Sequence, residues 1–341
     1  MKAITYTQPG DSSVLSLVER PLPEPGPGEV RVRITVSGVN PTDWKARESA
    51  GRPLPFDEIT PNQDGAGIVD AVGPGVENLS AGQRVWVYLA AHQRPTGTAA
   101  EYSILPAERA VPLADGASFE VGASLGVPAM TAHRALTVHE DGPSRLAPGA
   151  LAGRTVLVQG GAGAVGHAAI QLAVWAGATV IATVSSDEKE KLARAAGAHH
   201  VLQYPSASLA DGIREIAPDG VEHIVEVAIA DNAALDVEVV ANHGTIGYYA
   251  DNGGDTFTAP VRVSFAKNVR WQGLLLYTVG ERALAAAAED VAAAVADGAL
   301  PVGEAHGLPL TWFDLADTAA AHDAVAQGAT GKVLIRVAEG E

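Results

Sequence analysis

The chain contains no cysteine. Disulfides, thiolate zinc sites and cysteine nucleophiles are thereby excluded. Positive charge is scarce, with 23 Lys and Arg against 40 Asp and Glu, a formal net charge of −17. Such a surface repels nucleic acid and anionic membranes, and the sequence carries no basic patch or RNA-binding module. Long apolar runs are missing too, since none approaches the ~18 residues of a membrane span. The N-terminal MKAITYTQPG lacks the apolar stretch of a secretory leader, so the expected location is cytoplasmic. What is present is a globular composition, 47% hydrophobic over 341 residues. That length suits about two domains.

The two halves read differently. Residues 30–36, 66–72 and 84–88 alternate apolar and polar positions, as half-buried strands do. Pro/Gly clusters such as residues 21–28 separate them and mark turns. After Gly126 the pattern changes to apolar β-branched runs (155–158, 180–184, 223–227, 244–247) alternating with helical ones (167–176, 188–196). That alternation predicts a parallel sheet, and the fold class is α/β. Residues 281–296 and 314–327 read as helices, and 332–337 as a closing strand.

The run Gly161-Ala162-Gly163-Ala164-Val165-Gly166, between a strand and a helix, fits G-x-G-x-x-G. In this motif glycines permit a tight turn, close approach of a diphosphate and close helix–strand packing, and the helix N-terminus faces the anion. A neutral, backbone-based anion site suits a chain of this charge. The second strand of such a domain ends in Asp or Glu when the cofactor is NAD. Here it ends Thr183-Val184-Ser185-Ser186, with Lys189 close behind. Hydroxyls and a lysine favour a 2′-phosphate, so NADPH is the expected cofactor, although Ser186 also has the position of a helix N-cap. Ala228, Gly247 and Tyr248 end later strands and should line the cofactor, because ligands bind at the carboxyl ends of parallel strands.

Several short motifs run through the whole chain in a fixed order. They are Gly38-Val39-Asn40-Pro41, Asp64-Gly65-Ala66-Gly67-Ile68-Val69, Ala81-Gly82-Gln83-Arg84-Val85, the stretch 126–136, the glycine turn, and Ala329-Thr330-Gly331-Lys332-Val333-Leu334. With them the chain resembles the zinc-free, zeta-crystallin-like quinone oxidoreductases of the medium-chain dehydrogenase/reductase superfamily. The resemblance implies a GroES-like β-barrel catalytic domain over 1–125, a Rossmann domain over 126–278 and a return to the first domain over 279–341. It implies an active-site cleft between the two domains. Zinc-dependent relatives hold their catalytic metal at positions that match Asn40, Gln63 and Val127, none of which is a good zinc ligand.

Losing zinc removes the Lewis acid that alcohol oxidation needs, whereas a quinone is electron-poor enough to accept hydride without one. The function so implied is NADPH-dependent, zinc-independent hydride transfer to a quinone or similar conjugated carbonyl. The alternatives are an enone or enoyl-thioester reductase, or a non-enzymatic NADPH-binding protein. By resemblance the catalytic residues are Asn40 and Thr131, while Tyr204, Leu276 and Lys332 approach the cofactor. Asn40 also reads as an Asn-Pro turn residue, Thr131 as the cap of a helix from Ala132, and Lys332 as a solvated lysine. Relatives often carry a tyrosine where this chain has Lys45. A homodimer is implied, paired through an edge strand over 269–277.

Overall fold

The computed structural model describes residues 1–338 apart from 50, 51, 205 and 207. The chain divides into two compact units. One is Met1–Val127 with the C-terminal segment from Leu310, and the other is Pro128–Pro309.

Strands of the first unit come in chain order as β1 (Lys2–Thr5), β2 (Ser16–Glu19), β3 (Glu29–Val39), β4 (Asp64–Val72), β5 (Arg84–Val87), β6 (Tyr102–Pro106) and β7 (Ala110–Pro112). Helices α1 (Pro41–Glu48) and α2 (Phe119–Gly122) accompany them. β1 and β2 form a hairpin-like pair, and β3, β4, β5 and β7 lie side by side in an antiparallel sheet, with β6 also paired to β3. Alternate residues of β3 (Val30, Val32, Ile34) point into a core with Val69, Val85, Val87 and Leu105, all essentially inaccessible. This is the period-two pattern that the sequence showed.

The second unit begins with helix α3 (Gly126–Leu136), whose first two residues still belong to the first unit. Its strands are β8 (Thr155–Val158), β9 (Thr179–Val184), β10 (His200–Gln203), β11 (Val221–Glu226), β12 (Val240–Tyr248) and β13 (Arg270–Gly273). They alternate with α4 (Ala164–Trp175), α5 (Asp187–Ala195), α6 (Leu209–Ile216), α7 (Ile229–Val239) and α8 (Val261–Ala266), and α9 (Glu281–Ala296) follows. The sheet order is β10-β9-β8-β11-β12-β13, and every pairing is parallel. The chain winds outward from β8 to β10, returns to β11 and winds outward the other way. The carboxyl ends of β8 and β11 therefore flank the point where the winding reverses, where ligands of such sheets bind.

The C-terminal segment supplies β14 (Leu310–Asp314), α10 (Thr318–Ala326) and β15 (Lys332–Arg336). β15 pairs antiparallel with β3, Val333 opposite Val39, so the chain does return to its first sheet. The return begins later than residue 279. Asp290 of α9 accepts from His133 Nε2 at 2.8 Å, Arg145 Nε at 2.8 Å and the Leu146 N–H at 2.7 Å, which ties α9 into the second unit. Two element readings also change. Residues 310–314 form a strand, so the expected helix over 314–327 starts at Thr318. The expected strand over 269–277 is only β13, because Leu276–Thr278 is a single helical turn.

His223 on β11 is fully buried, and neither ring nitrogen has a partner among the described residues. Its ring centroid lies 4.8 Å from that of His139. Burial, then the neighbouring His139, holds its pKa down at about 3. The unfolded chain therefore binds a proton that the fold refuses, and this site loses stability as pH falls from the ordinary histidine value toward the depressed one. His223→Leu should be flat against wild type above neutral pH. Below about pH 6.5 it should gain on wild type by up to about 1.4 kcal/mol per pH unit, measured by urea unfolding across pH. A stability difference that stays constant with pH would contradict this account.

Candidate functional site

The glycine turn sits at the carboxyl end of β8. Gly160, not the first glycine of the motif, takes the left-handed conformation, with φ 71°. The Gly161 N–H donates to the Thr183 carbonyl at 3.0 Å, tying the turn to β9. A Cβ on Gly161 would stand 2.9 Å from Ala182 Cβ, and one on Gly166 would stand 2.3 Å from the Gly160 carbonyl oxygen. Helix α4, capped by Gly163, can therefore start this close to the strand only with glycine at 166. A Cβ on Gly163 would meet nothing nearer than 3.5 Å. The protein leaves that face of the turn clear, as a diphosphate on Gly163, Ala164 and Val165 requires. Ala162 is buried beneath it.

At the end of β9, Lys189 Nζ donates to Ser185 Oγ at 3.1 Å, so cation and hydroxyl share one corner. Ser186 caps α5, its Oγ accepting from the Lys189 N–H at 3.4 Å. Among the nearby acids, Glu188 stays at the corner beside Ser186, and Asp187 and Glu190 are engaged by Gln203. Gln203 Nε2 donates to Asp187 at 2.7 Å and to Glu190 at 3.2 Å. The Tyr204 N–H donates to the Val184 carbonyl at 3.0 Å, which places this half-exposed tyrosine beside the corner. Gly247 and Tyr248 close β12, with the Tyr248 ring edge-on to Phe257 at 5.5 Å. The Tyr248 carbonyl accepts from the Leu274 N–H at 2.8 Å, and Leu276 is buried two residues on. The Ala228 N–H is already taken by Glu226 Oε1. Thr131 is buried in mid-helix, because α3 starts at Gly126 and not at Ala132.

The first unit holds a second cluster. Asn40 caps α1 and is 2% exposed. Its Nδ2 donates to Asp64 Oδ2 at 2.7 Å, and its Oδ1 accepts from Lys332 Nζ at 2.6 Å. An acceptor on one side and a cation on the other leave the carboxamide one orientation. Lys332 is not solvated. It is buried, donates to the Val39 carbonyl at 3.1 Å and lies 3.9 Å from Asp64. In this arrangement its ammonium serves Asn40 and Asp64. The positions matching the metal ligands of relatives converge on the same acids. The Val127 N–H donates to both Asp64 oxygens at 2.9 Å, and the Gln63 N–H donates to Asp43 Oδ1 at 3.1 Å. Burial and then the Asp64 charge push the Asp43 carboxyl up to about 7. Burial raises Asp64 and lowers Lys332, each opposed by the other's charge. Asp43 and Gln63 also line a cavity of about 110 Å³ with Tyr6, Phe56 and Arg94. Lys45 is exposed, its ammonium 5.8 Å from the Trp44 ring.

Sequence reasoning passed over Asp43, Asp64, Gln159, Thr183, Glu226 and Asp236. Four of these are acids that the fold buries. The available signal was an acid inside or closing an apolar run, as in His223-Ile224-Val225-Glu226. Which partner satisfies it is a matter of tertiary packing.

Two outcomes follow for the turn. Gly166→Ala forces helix α4 off the turn and should raise the dissociation constant for a dinucleotide about tenfold or more. Lys189→Ala should weaken binding of the 2′-phosphorylated dinucleotide about tenfold, the worth of one charge-assisted hydrogen bond, and leave the unphosphorylated one unchanged. Fluorescence titration checks both, and equal losses for the two dinucleotides would remove Lys189 from the phosphate corner.

Comparison with known proteins agrees with this geometry. The alcohol dehydrogenase GroES-like domain matches residues 26–115, and the zinc-binding dehydrogenase family matches residues 164–293. The quinone oxidoreductase of Mus musculus is 33% identical over 250 residues, 72% of either chain. A 2-haloacrylate reductase of a Burkholderia species is 32% identical over 245 residues, 70% of this chain and 69% of its own. A mycobacterial protein solved in complex with NADPH superposes with a TM-score of 0.80 at 30% identity, covering 99% of this chain and all of its own. A parallel dinucleotide sheet with its glycine turn, a first sheet closed by the C-terminal strand, and these relatives together place the chain: it belongs to the zinc-free quinone oxidoreductase family of the medium-chain dehydrogenases/reductases.

Proposed function

We propose that the protein oxidises NADPH and passes the hydride to a quinone or a similar conjugated carbonyl. The observation that carries the cofactor half is the corner at the end of β9, where Ser185 and Lys189 stand in place of the acid that an NAD site would hold. The mycobacterial relative solved with NADPH supports it. The glycine turn and the α4 N-terminus hold the diphosphate by backbone N–H groups, and Lys189 with Ser185 and Ser186 meets the 2′-phosphate. Tyr204, Ala228, Gly247, Tyr248 and Leu276 line the remainder. Bound NADPH supplies the hydride.

Asn40 and Thr131 are the polar groups that we assign to the reacting end. One N–H of the Asn40 amide is committed to Asp64, and Lys332 holds the carbonyl side. The amide is thus pre-oriented, and its second N–H is the donor for a carbonyl oxygen as charge develops there. Lys332 acts through Asn40 in this reading. A quinone carbonyl needs little more, because its reduced oxyanion is delocalised.

The 2-haloacrylate reductase among the relatives favours one further reading, reduction of an activated alkene conjugated to a carbonyl group. For location we favour the cytoplasm, and for assembly a homodimer. No helix among the described residues is long and apolar enough to cross a membrane. Near the sheet edge β13, the side chains of Val261, Phe265 and Leu275 are 74%, 61% and 55% exposed, an apolar face that a second copy would cover.

Consumption of NADPH should depend on an added naphthoquinone, with slower turnover of enones and haloacrylates. Enone turnover with no quinone turnover would replace the acceptor proposed here, and no turnover at all would refute the enzyme reading. Asn40→Ala should lower kcat by about 100-fold with little change in cofactor affinity. Light scattering at micromolar concentration should return twice the monomer mass, and a monomer there would refute the dimer.

A further inference from the structure

Two carboxyl groups lie buried at the reversal point of the parallel sheet. Glu226 ends β11, Asp236 lies on α7, and both are fully inaccessible. The Glu226 carboxyl is the neighbouring acid that acts on Asp236, and no donor among the described residues reaches the buried Asp236 Oδ2. A hydrogen bond between two carboxyls needs a proton on one of them. Glu226 already accepts from the Ala228 N–H and from Asn232 Nδ2, the latter at 3.2 Å to each oxygen. Asp236 Oδ1 accepts from Gln159 Nε2 at 3.0 Å. The proton therefore belongs on Asp236 Oδ2, which donates to Glu226. Burial raises both carboxyls. The groups facing the pair are Gln159, Asn232, the Val227 and Ala228 N–H groups and Tyr249, whose phenol burial and Glu226 hold un-ionised. None of these is a cation.

The pair is wired to the glycine turn. Gln159 sits between β8 and Gly160, and its Oε1 accepts from Thr183 Oγ1. Thr183 Oγ1 in turn accepts from the Gly160 N–H at 3.4 Å, and the Thr183 carbonyl accepts from the Gly161 N–H at 3.0 Å. We propose that Asp236 and Glu226 are positioning residues for the glycine turn, sharing one proton whose presence holds Gln159 and Thr183 where the turn can receive the dinucleotide. The proposal rests on the dinucleotide reading of the turn. Loss of the shared proton would set two like charges side by side in a dry site beneath an anion-binding loop, and the arrangement would open.

Asp236→Asn separates this from a purely structural role. The Asn amide donates to Glu226 and its oxygen accepts from Gln159, so it copies the protonated state at every pH. NADPH binding to the full chain is followed by fluorescence titration. Wild-type Kd should rise as pH climbs above neutral through the raised titration of the shared proton, approaching tenfold per unit as one linked proton is lost. Asp236→Asn should bind within about twofold of wild type at neutral pH and stay flat above it. Gln159→Leu, which cuts the link, should bind more weakly at neutral pH and also lose the rise. Coincident profiles for wild type and Asp236→Asn, or a flat wild-type profile, would overturn the proposal. Wild type that does not bind NADPH at neutral pH would overturn the cofactor reading instead.

Discussion

Helix α4 begins against the strand end because residue 166 has no side chain. The Gly160 carbonyl oxygen occupies the space a Cβ would need, 2.3 Å away. That single close approach sets the height of the α4 N-terminus over the sheet and thus the place where its free N–H groups converge. It also makes Gly160 turn through a positive φ and brings the Gly161 N–H onto the Thr183 carbonyl. In a chain with seventeen excess negative charges, an anion needs local dipoles to hold it, and the turn presents such dipoles.

Each unit buries ionisable groups. In the first, Asp64 and Lys332 hold the two ends of one carboxamide, while Asp43 ties the N-cap of α1 to the Gln63 backbone. In the second, Glu226 and Asp236 connect to the turn through Gln159 and Thr183, with no cation among their described partners. Buried ionisable groups contribute little net stability, because desolvation offsets their attraction. Their physical effect is directional. A carboxylate only accepts and an ammonium only donates, so amides between them have one orientation.

The parts of this architecture that repeat locally were legible in the sequence. Alternation in residues 30–36 announced a strand, although the fold buries all of it but Arg33 rather than one face, and the run of strand, glycine turn and helix announced a parallel dinucleotide sheet. The exchange of an acid for Ser185 and Ser186 pointed to NADPH. Misreadings arose where local pattern and tertiary packing part. The helix expected from Asp314 starts only at Thr318, because Asp314 closes a strand that pairs with β15. Residues 269–277 are rich in apolar side chains, yet the register with β12 covers only Arg270–Gly273, and the chain turns before Leu276. Lys332, an ordinary surface residue by type, is buried because Asp64 and Asn40 are within its reach.

By itself the sequence determined the fold class, the glycine turn and the preference for a 2′-phosphate, because these rest on periodicities and side-chain types within about thirty residues. It also determined that the chain lacks thiolate chemistry. Only the tertiary structure decided that Asn40 and Lys332, 292 positions apart, share a hydrogen bond, and that Asp236 reaches Gln159 across 77. It alone decided that α9 packs with the second unit. Such contacts follow from how sheets and helices stack, and a buried charge finds its partner through space, which no local pattern records.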